Sequence, residues 1–74
     1  MDFGIGMRTM RGMRNIGQVR LAFMVGLSMA SISRAESGKQ KLNDQAQSRI
    51  RIALTWSPEL DPLLECIATF KYEA

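Results

Sequence analysis

The segment MRNIGQVRLAFMVGLSMASISRAE, residues 13–36, contains the longest uncharged run of the chain and decides which folds the sequence allows. Arginines precede thirteen uncharged residues, 21–33, and the small residues Ser33 and Ala35 stand at the end of that run and just beyond it. A cationic start, a short apolar stretch and small residues three and one places before a cleavage point are the parts of a secretory signal peptide. The pattern therefore predicts a signal peptide or membrane-inserting leader over 1–35, with Ser33 and Ala35 fitting the processing protease.

Other interpretations of this segment stay open. As a helix, residues 21–33 would extend ~20 Å, whereas the hydrocarbon core of a bilayer is ~30 Å thick, so a stable span requires flanking arginines to snorkel. Residues 1–35 carry five arginines and a single acid, which is also typical of a mitochondrial presequence, and Arg34 is unusual inside a signal peptide. A retained membrane helix, a presequence and a soluble core helix therefore remain alternatives.

Local signals divide the N-terminal half into three parts. Four glycines at or before Gly17 lower the helix propensity, so we expect the first fourteen or so residues to be loose. Asn15 is a suitable N-cap, and the apolar residues after it predict one helix over about 15–34. Residues 36–48 are polar and include Gly38, which indicates a linker.

The alternation of residue types over 49–56 predicts a β-strand. A period of two places four large apolar residues on one face, namely Ile50, Ile52, Leu54 and Trp56. Arg49 and Arg51 then share the opposite face. A helix would separate the four apolar residues into two stripes, so the pattern favours the strand over the helix.

Residues 63–72 fit two patterns, and both stay open. In the strand interpretation one face carries Cys66, Ala68, Phe70 and Tyr72. In the helix interpretation Asp61 is the N-cap, Pro62 is the first helical residue, and the leucines that follow keep helical spacing. The predicted fold is thus a small protein with a mainly α N-terminal half and a short α+β C-terminal part, in which 49–74 forms a small interaction segment.

Size and composition argue against catalysis. The chain has 74 residues, and removal of 1–35 would leave thirty-nine, below the ~40 residues at which a domain usually needs a disulfide, a metal or a partner to fold. Histidine is absent and Cys66 is the single cysteine, so the commonest general base, the commonest metal ligand and any internal disulfide are missing. We expect no enzyme, no cofactor and no metal, with Cys66 packed as a small hydrophobe or, alternatively, paired with another chain or acting as a nucleophile.

Charge is unevenly distributed along the chain. Residues 1–41 carry seven Lys/Arg and two Asp/Glu, a net charge of +5, whereas 42–74 carry three and five, a net charge of −2. From Glu36 onward there are five basic and six acidic residues, so a protein without its leader would be slightly acidic. On that assumption we expect no nucleic-acid partner.

Residues with exposed charge or large aromatic surface are the candidates for an interface, namely Arg49, Arg51, Trp56 and Tyr72. The sequence predicts a small exported protein, periplasmic or secreted, that acts by binding another protein. One alternative is a membrane-anchored or membrane-active protein that contacts the bilayer through 15–34. Another is a soluble module of the inhibitor type, in which the apolar helix packs against residues 50–72.

Overall fold

The computed structural model describes residues 2–70, and over this range the protein is helical, with no β-strand. The helices are α1 Phe3–Arg14, α2 Gln18–Val25, α3 Met29–Glu36, α4 Asp44–Ala53 and α5 Asp61–Ala68, with a short 3-10 helix at Pro58–Leu60. The predicted α+β C-terminal part is therefore wrong, because 49–53 belong to α4.

The predicted strand over 49–56 fails because its residues follow the helical period. Asn43 begins α4 as an N-cap whose side-chain oxygen accepts from the Ala46 backbone N–H at 2.8 Å. Buried residues recur every fourth position along this part of the chain, namely Leu42, Ala46, Ile50 and Leu54. Ile52, which the alternation places in the core, is 79 % exposed.

Residues 3–14, which lie in the stretch expected to be loose, form α1. The side chain of Asp2 caps its first turn, and Asn15 ends the helix in a left-handed conformation with φ of 56°. Asn15 is thus the C-cap of α1 rather than the N-cap of a helix over 15–34. The glycines do not prevent this helix, because Met7 and Met10 are fully buried and tertiary packing outweighs a propensity loss of ~1 kcal/mol per glycine.

The stretch predicted as one helix over 15–34 is divided into α2 and α3. Gly26 has a φ of 72°, a left-handed conformation that glycine adopts without strain, and its N–H donates to the Ala22 carbonyl. Ser28 then caps the next helix, which begins at Met29. Each helix has eight residues, and within 2–70 no helix combines the length and apolarity needed to cross a membrane.

Of the two alternatives for 63–72, the strand is wrong and the described part is helical. α5 begins at Asp61 with Pro62 in its first turn, where the missing N–H of proline costs nothing. Cys66, expected to pack in the core, is exposed on this helix. Tyr72 lies outside the described residues.

All five α-helices contribute to one core. Its buried members are Met7, Met10, Leu21, Ala22, Val25, Ile32, Ala35, Leu42, Ala46, Ile50, Leu54, Trp56 and Leu64. Seven of these thirteen lie at or before Ala35, so the segment predicted as a leader supplies about half of the apolar interior of this fold. Burial of that surface, at about 25 cal/mol per Å², is the main favourable term that holds α1, α2 and α3 against α4 and α5.

Candidate functional site

The most distinctive local arrangement is the pair α2 and α3 with the three-residue turn between them. Leu27, in the middle of the turn, donates its N–H to the Ala22 carbonyl at 3.0 Å and packs partly buried against the core. Ser28 accepts from the Ser31 N–H at 3.1 Å, which fixes the start of α3. Two helices joined by a three-residue turn that contains glycine have the connectivity of a helix-turn-helix, and we use that term for residues 18–36.

The inner faces of the two helices fix their mutual orientation. Five side chains of the helix-turn-helix belong to the buried core, namely Leu21, Ala22, Val25, Ile32 and Ala35. They pack against α1 and α4, so the unit is held from behind by the rest of the fold. The helix-turn-helix is therefore a rigid part of the domain, with its opposite side turned to solvent.

The outer face of α3 consists of residues that no other helix covers. Exposed positions follow the helical period along it, namely Met29, Ala30, Ser33, Arg34 and Ser37. Met29 and Ala30 form its first turn, and Met29 is 50 % exposed. The outer face of α3 is thus one continuous surface exposed to solvent. Its first turn is apolar, Ser33 follows, and Arg34 makes the far end cationic.

Glu36, at the end of α3, is the buried polar anchor of the unit. Its carboxylate accepts from Nε and Nη2 of Arg11 at 2.6 and 2.8 Å and from Nε2 of Gln18 at 3.0 Å, and its side chain is only 5 % exposed. Hydrogen bonding to this carboxylate raises the pKa of the Arg11 guanidinium, against the opposing effect of partial burial. One ion pair thereby joins α1, the start of α2 and the end of α3, and it neutralises the carboxylate of α3 internally.

A close backbone approach also holds α3 in place. A Cβ built on Gly4 would overlap the carbonyl oxygen of Ala35, so only glycine fits where α1 packs against α3. The position of α3 thus depends on the first turn of α1, which lies 31 residues earlier in the sequence.

The helix-turn-helix and the loop after it are strongly basic. Four cationic residues lie in 18–43, namely Arg20, Arg34, Lys39 and Lys41, and all four are exposed. The single carboxylate in that range is Glu36, which Arg11 neutralises. Arg34 donates from Nε to Oε1 of Gln40 at 2.9 Å, which ties the last turn of α3 to the basic loop. This segment of the chain therefore carries an excess of exposed positive charge.

The residues predicted from sequence do not form one site. Ser33 lies on the outer face of α3, whereas Ala35 lies in the same helix and is buried in the core. Arg49 is exposed, and its Nη1 is 3.8 Å from the position of a Cβ built on Gly26, so it lies beside the turn. Only Arg51 and Trp56 meet, in a different part of the molecule.

Arg51 and Trp56 belong to a structural cluster with Phe3 and Asp61, which we call the Trp56 cluster. The Trp56 ring stacks on Phe3 with centroids 5.0 Å apart, and the Arg51 guanidinium carbon lies 4.1 Å from the Trp56 ring centroid. Asp61 accepts from Nε1 of Trp56 at 2.8 Å and pairs with Arg51 at 3.3 Å. This cluster joins α1, α4 and α5, and the side chains of Arg51 and Asp61 stay 30 % and 38 % exposed, so the predicted role of Arg51 and Trp56 in an interface stays a prediction.

These neighbours change the pKa of the Asp61 carboxyl. Partial burial acts to raise the pKa of its carboxyl, but hydrogen bonds from Arg51 and Trp56 and the charge of Arg51 outweigh that effect, so the pKa is lowered. The ionised Asp61 carboxylate therefore stabilises the packing of the Trp56 cluster.

Sequence reasoning missed the residues of the outer face of α3, above all Met29 and Ala30. Their signal was present, because Gly26 followed by Ser28 is the combination of a helix C-cap and the N-cap of a new helix. The signal was hidden within an apolar run that resembles the central part of a signal peptide.

Comparison of the chain with protein-family models, with curated proteins and with solved structures finds no match.

Proposed function

We propose that this protein binds duplex DNA through its helix-turn-helix, with α3 lying in the major groove. The observation that carries the proposal is the exposed outer face of α3, held on a rigid support by α2 and by the Glu36 anchor. The major groove, ~12 Å wide, accommodates an α-helix of ~10–12 Å diameter, and in a helix-turn-helix the second helix occupies it.

The charge distribution supports a polyanionic partner. Residues 1–43 carry a net charge of +5 and residues 44–74 a net charge of −2, so the basic half of the sequence is the half that contains the helix-turn-helix. The exposed cations Arg20, Lys39 and Lys41 flank α3 in sequence, and Arg34 lies on its outer face. Lysine and arginine at the edges of a groove-binding helix contact phosphates, which supplies most of the affinity and orients the protein.

This proposal differs from the sequence-based expectation of no nucleic-acid partner. That expectation counted charge from Glu36 onward, on the assumption that 1–35 are removed. In the structure α1, α2 and most of α3 are core elements, so their five arginines count toward the charge of the folded protein. The expectation of no nucleic-acid partner and the proposal of DNA binding use the same argument from net charge. They differ only in whether residues 1–35 are counted.

The exported protein-binding function remains a prediction, and one measurement separates it from the proposal. Processing after Ala35 would leave a chain that begins at Glu36 and lacks seven of the thirteen core residues. The intact mass of the protein purified from its own cell should correspond to a chain that retains 1–35 if DNA binding is its function. A mass that corresponds to a start at Glu36 would contradict the proposal.

The direct test is fluorescence anisotropy with a fluorescein-labelled duplex of about 20 base pairs, two turns of B-DNA, at increasing NaCl concentration. We expect binding at low salt. The logarithm of the association constant should fall linearly with the logarithm of the salt concentration. Lys39→Gln should reduce the magnitude of that slope by about 1, because one phosphate contact is lost.

A matched control has the same change in net charge in another part of the chain. Ser57→Asp also lowers the charge by one, and aspartate is as good an N-cap as serine for the 3-10 helix that Ser57 precedes. This variant should keep the salt slope of the parent protein. No binding at low salt, or equal slopes for the two variants, would contradict the proposed interface.

A further inference from the structure

The first turn of α3 presents an unusual surface for a helix in the major groove. The residues of this turn are the ones that contact base edges in a helix-turn-helix. Here they are the thioether of Met29 and the methyl group of Ala30, followed one turn later by the hydroxyl of Ser33. None of these side chains provides two parallel hydrogen bonds to a base.

Ser28, the polar residue nearest to that turn, is already engaged within the protein. Its Oγ accepts from the Ser31 N–H at 3.1 Å and donates to the Ser31 Oγ at 3.0 Å. Both hydroxyls are thus used to cap α3. The polar groups at the start of α3 serve the helix, and the surface left for the bases is apolar.

The chemistry of the major groove makes that surface selective. Guanine is recognised by Arg or Lys, adenine by Asn or Gln, and cytosine by Glu or Asp, in each case through hydrogen bonds. Thymine alone of the four bases carries a methyl group, at C5, which projects into the major groove and is recognised by apolar contact. A methionine side chain is flexible and polarisable, so it adapts to such a group better than a branched side chain does.

We propose that Met29 and Ala30 select thymine through its C5 methyl group, so that the preferred DNA site has A·T pairs under the first turn of α3. The inference rests on the proposed function and specifies the base class that this interface prefers. Arg34, at the other end of the outer face, is linked to Gln40. It contacts a phosphate or a guanine outside the A·T pairs under the first turn.

The experiment starts with selection of bound duplexes from a random-sequence library. Each thymine of the selected site is then replaced singly by deoxyuridine, which removes the C5 methyl group and changes no hydrogen-bonding group. We expect one or two thymines at which the replacement weakens binding by about fourfold, the value for loss of one buried methyl-sized apolar contact. Replacement at the other thymines of the site should have no effect.

Protein variants assign the effect to α3. Met29→Ser should abolish the sensitivity to deoxyuridine and reduce affinity for the thymine site by a similar factor. Met13→Ser is the matched control, because Met13 lies on α1 outside the helix-turn-helix, is 51 % exposed against 50 % for Met29, and loses the same side chain. It should retain the full sensitivity.

The outcomes separate the inference from the proposed function. Absence of salt-dependent binding to any duplex contradicts DNA binding itself. Salt-dependent binding with a selected site in which no thymine is sensitive to loss of its methyl group overturns the thymine inference and leaves DNA binding standing. Because the deoxyuridine series uses the unaltered protein, a variant that fails to fold does not affect this test.

Discussion

The outer face of α3 and the Trp56 cluster use arginine in opposite ways. In the cluster, Arg51 lies over the Trp56 ring and pairs with Asp61, so its charge is used within the protein. On α3, Arg34 is exposed and forms a single side-chain bond to Gln40 at the edge of the face. Polar groups that satisfy one another join helices, whereas a cation on an exposed helix face is available to a partner.

Apolar side chains show the same contrast. Trp56 is 3 % exposed and its cluster joins three helices, while the Met29 side chain is half exposed on the outer face of α3. Loss of the first should therefore affect stability, and loss of the second should affect binding. The following substitutions test this division, beginning with the largest expected effect.

Trp56→Ala should lower the free energy of unfolding by about 3–5 kcal/mol, because it removes a buried indole, its stacking on Phe3 and the hydrogen bond to Asp61. That is a large part of the ~5–15 kcal/mol available to a small domain. Urea denaturation followed by circular dichroism measures the loss.

Phe23→Ala is the control for aromatic truncation, since Phe23 on α2 is 88 % exposed. It should change stability by less than about 0.5 kcal/mol. Equal losses for the two variants would show that the Trp56 cluster does not hold α1, α4 and α5 together.

Two glycines of α1 should respond to alanine with opposite signs. Gly4→Ala places a Cβ against the Ala35 carbonyl, so α1 and α3 must separate, which should lower the free energy of unfolding by about 1–3 kcal/mol. Gly12→Ala meets nothing within 4 Å and should raise it by about 0.5–1 kcal/mol through helix propensity.

Thermal unfolding of both variants checks the signs. The Gly4→Ala protein should also bind the labelled duplex more weakly, because the same contact positions α3. A stabilising effect at both positions would mean that the close approach of α1 to α3 is absent.

Part of this fold could be predicted from the sequence, and part could not. The apolar pattern over 15–34 predicts helix, and most of that range is helical, because i, i+3, i+4 spacing is a local property. The strand prediction over 49–56 is wrong because Ile50 and Leu54, four residues apart, satisfy both the alternation and the helical period, and only Ile52 distinguishes the two. The choice depends on which partner surface buries them: α4 packs against α2, with Ile50 buried and Ile52 in solvent.

The candidate site was harder to predict than the helices. An apolar stretch preceded by arginines is compatible with insertion into a bilayer and with packing against α1 and α4, and the difference lies in residues far away in sequence. Gly4 and Glu36 show why, since their roles depend on contacts with Ala35 and Arg11 that no local pattern encodes. The turn at 26–28 was the one local signal, and a short turn alone does not identify a functional surface.

The smallest expected effect is a pH dependence that belongs to the Trp56 cluster. Because the pKa of Asp61 is lower in the folded protein than its ordinary value of ~3.9, the ionised carboxylate stabilises the fold at pH above that value. The contribution is lost as the pH falls through the folded pKa.

The melting temperature of the parent protein should therefore exceed that of Asp61→Asn at pH 6, and the difference should shrink toward pH 3. Contributions from the rest of the chain are common to both proteins and cancel in the difference. Glu59→Gln, a change at an exposed carboxylate two residues earlier, should alter the melting temperature little at either pH. A difference between the parent and Asp61→Asn that stays constant from pH 6 to pH 3 would mean that the charge of Asp61 does not contribute, and that its hydrogen bond to Trp56 alone holds the cluster.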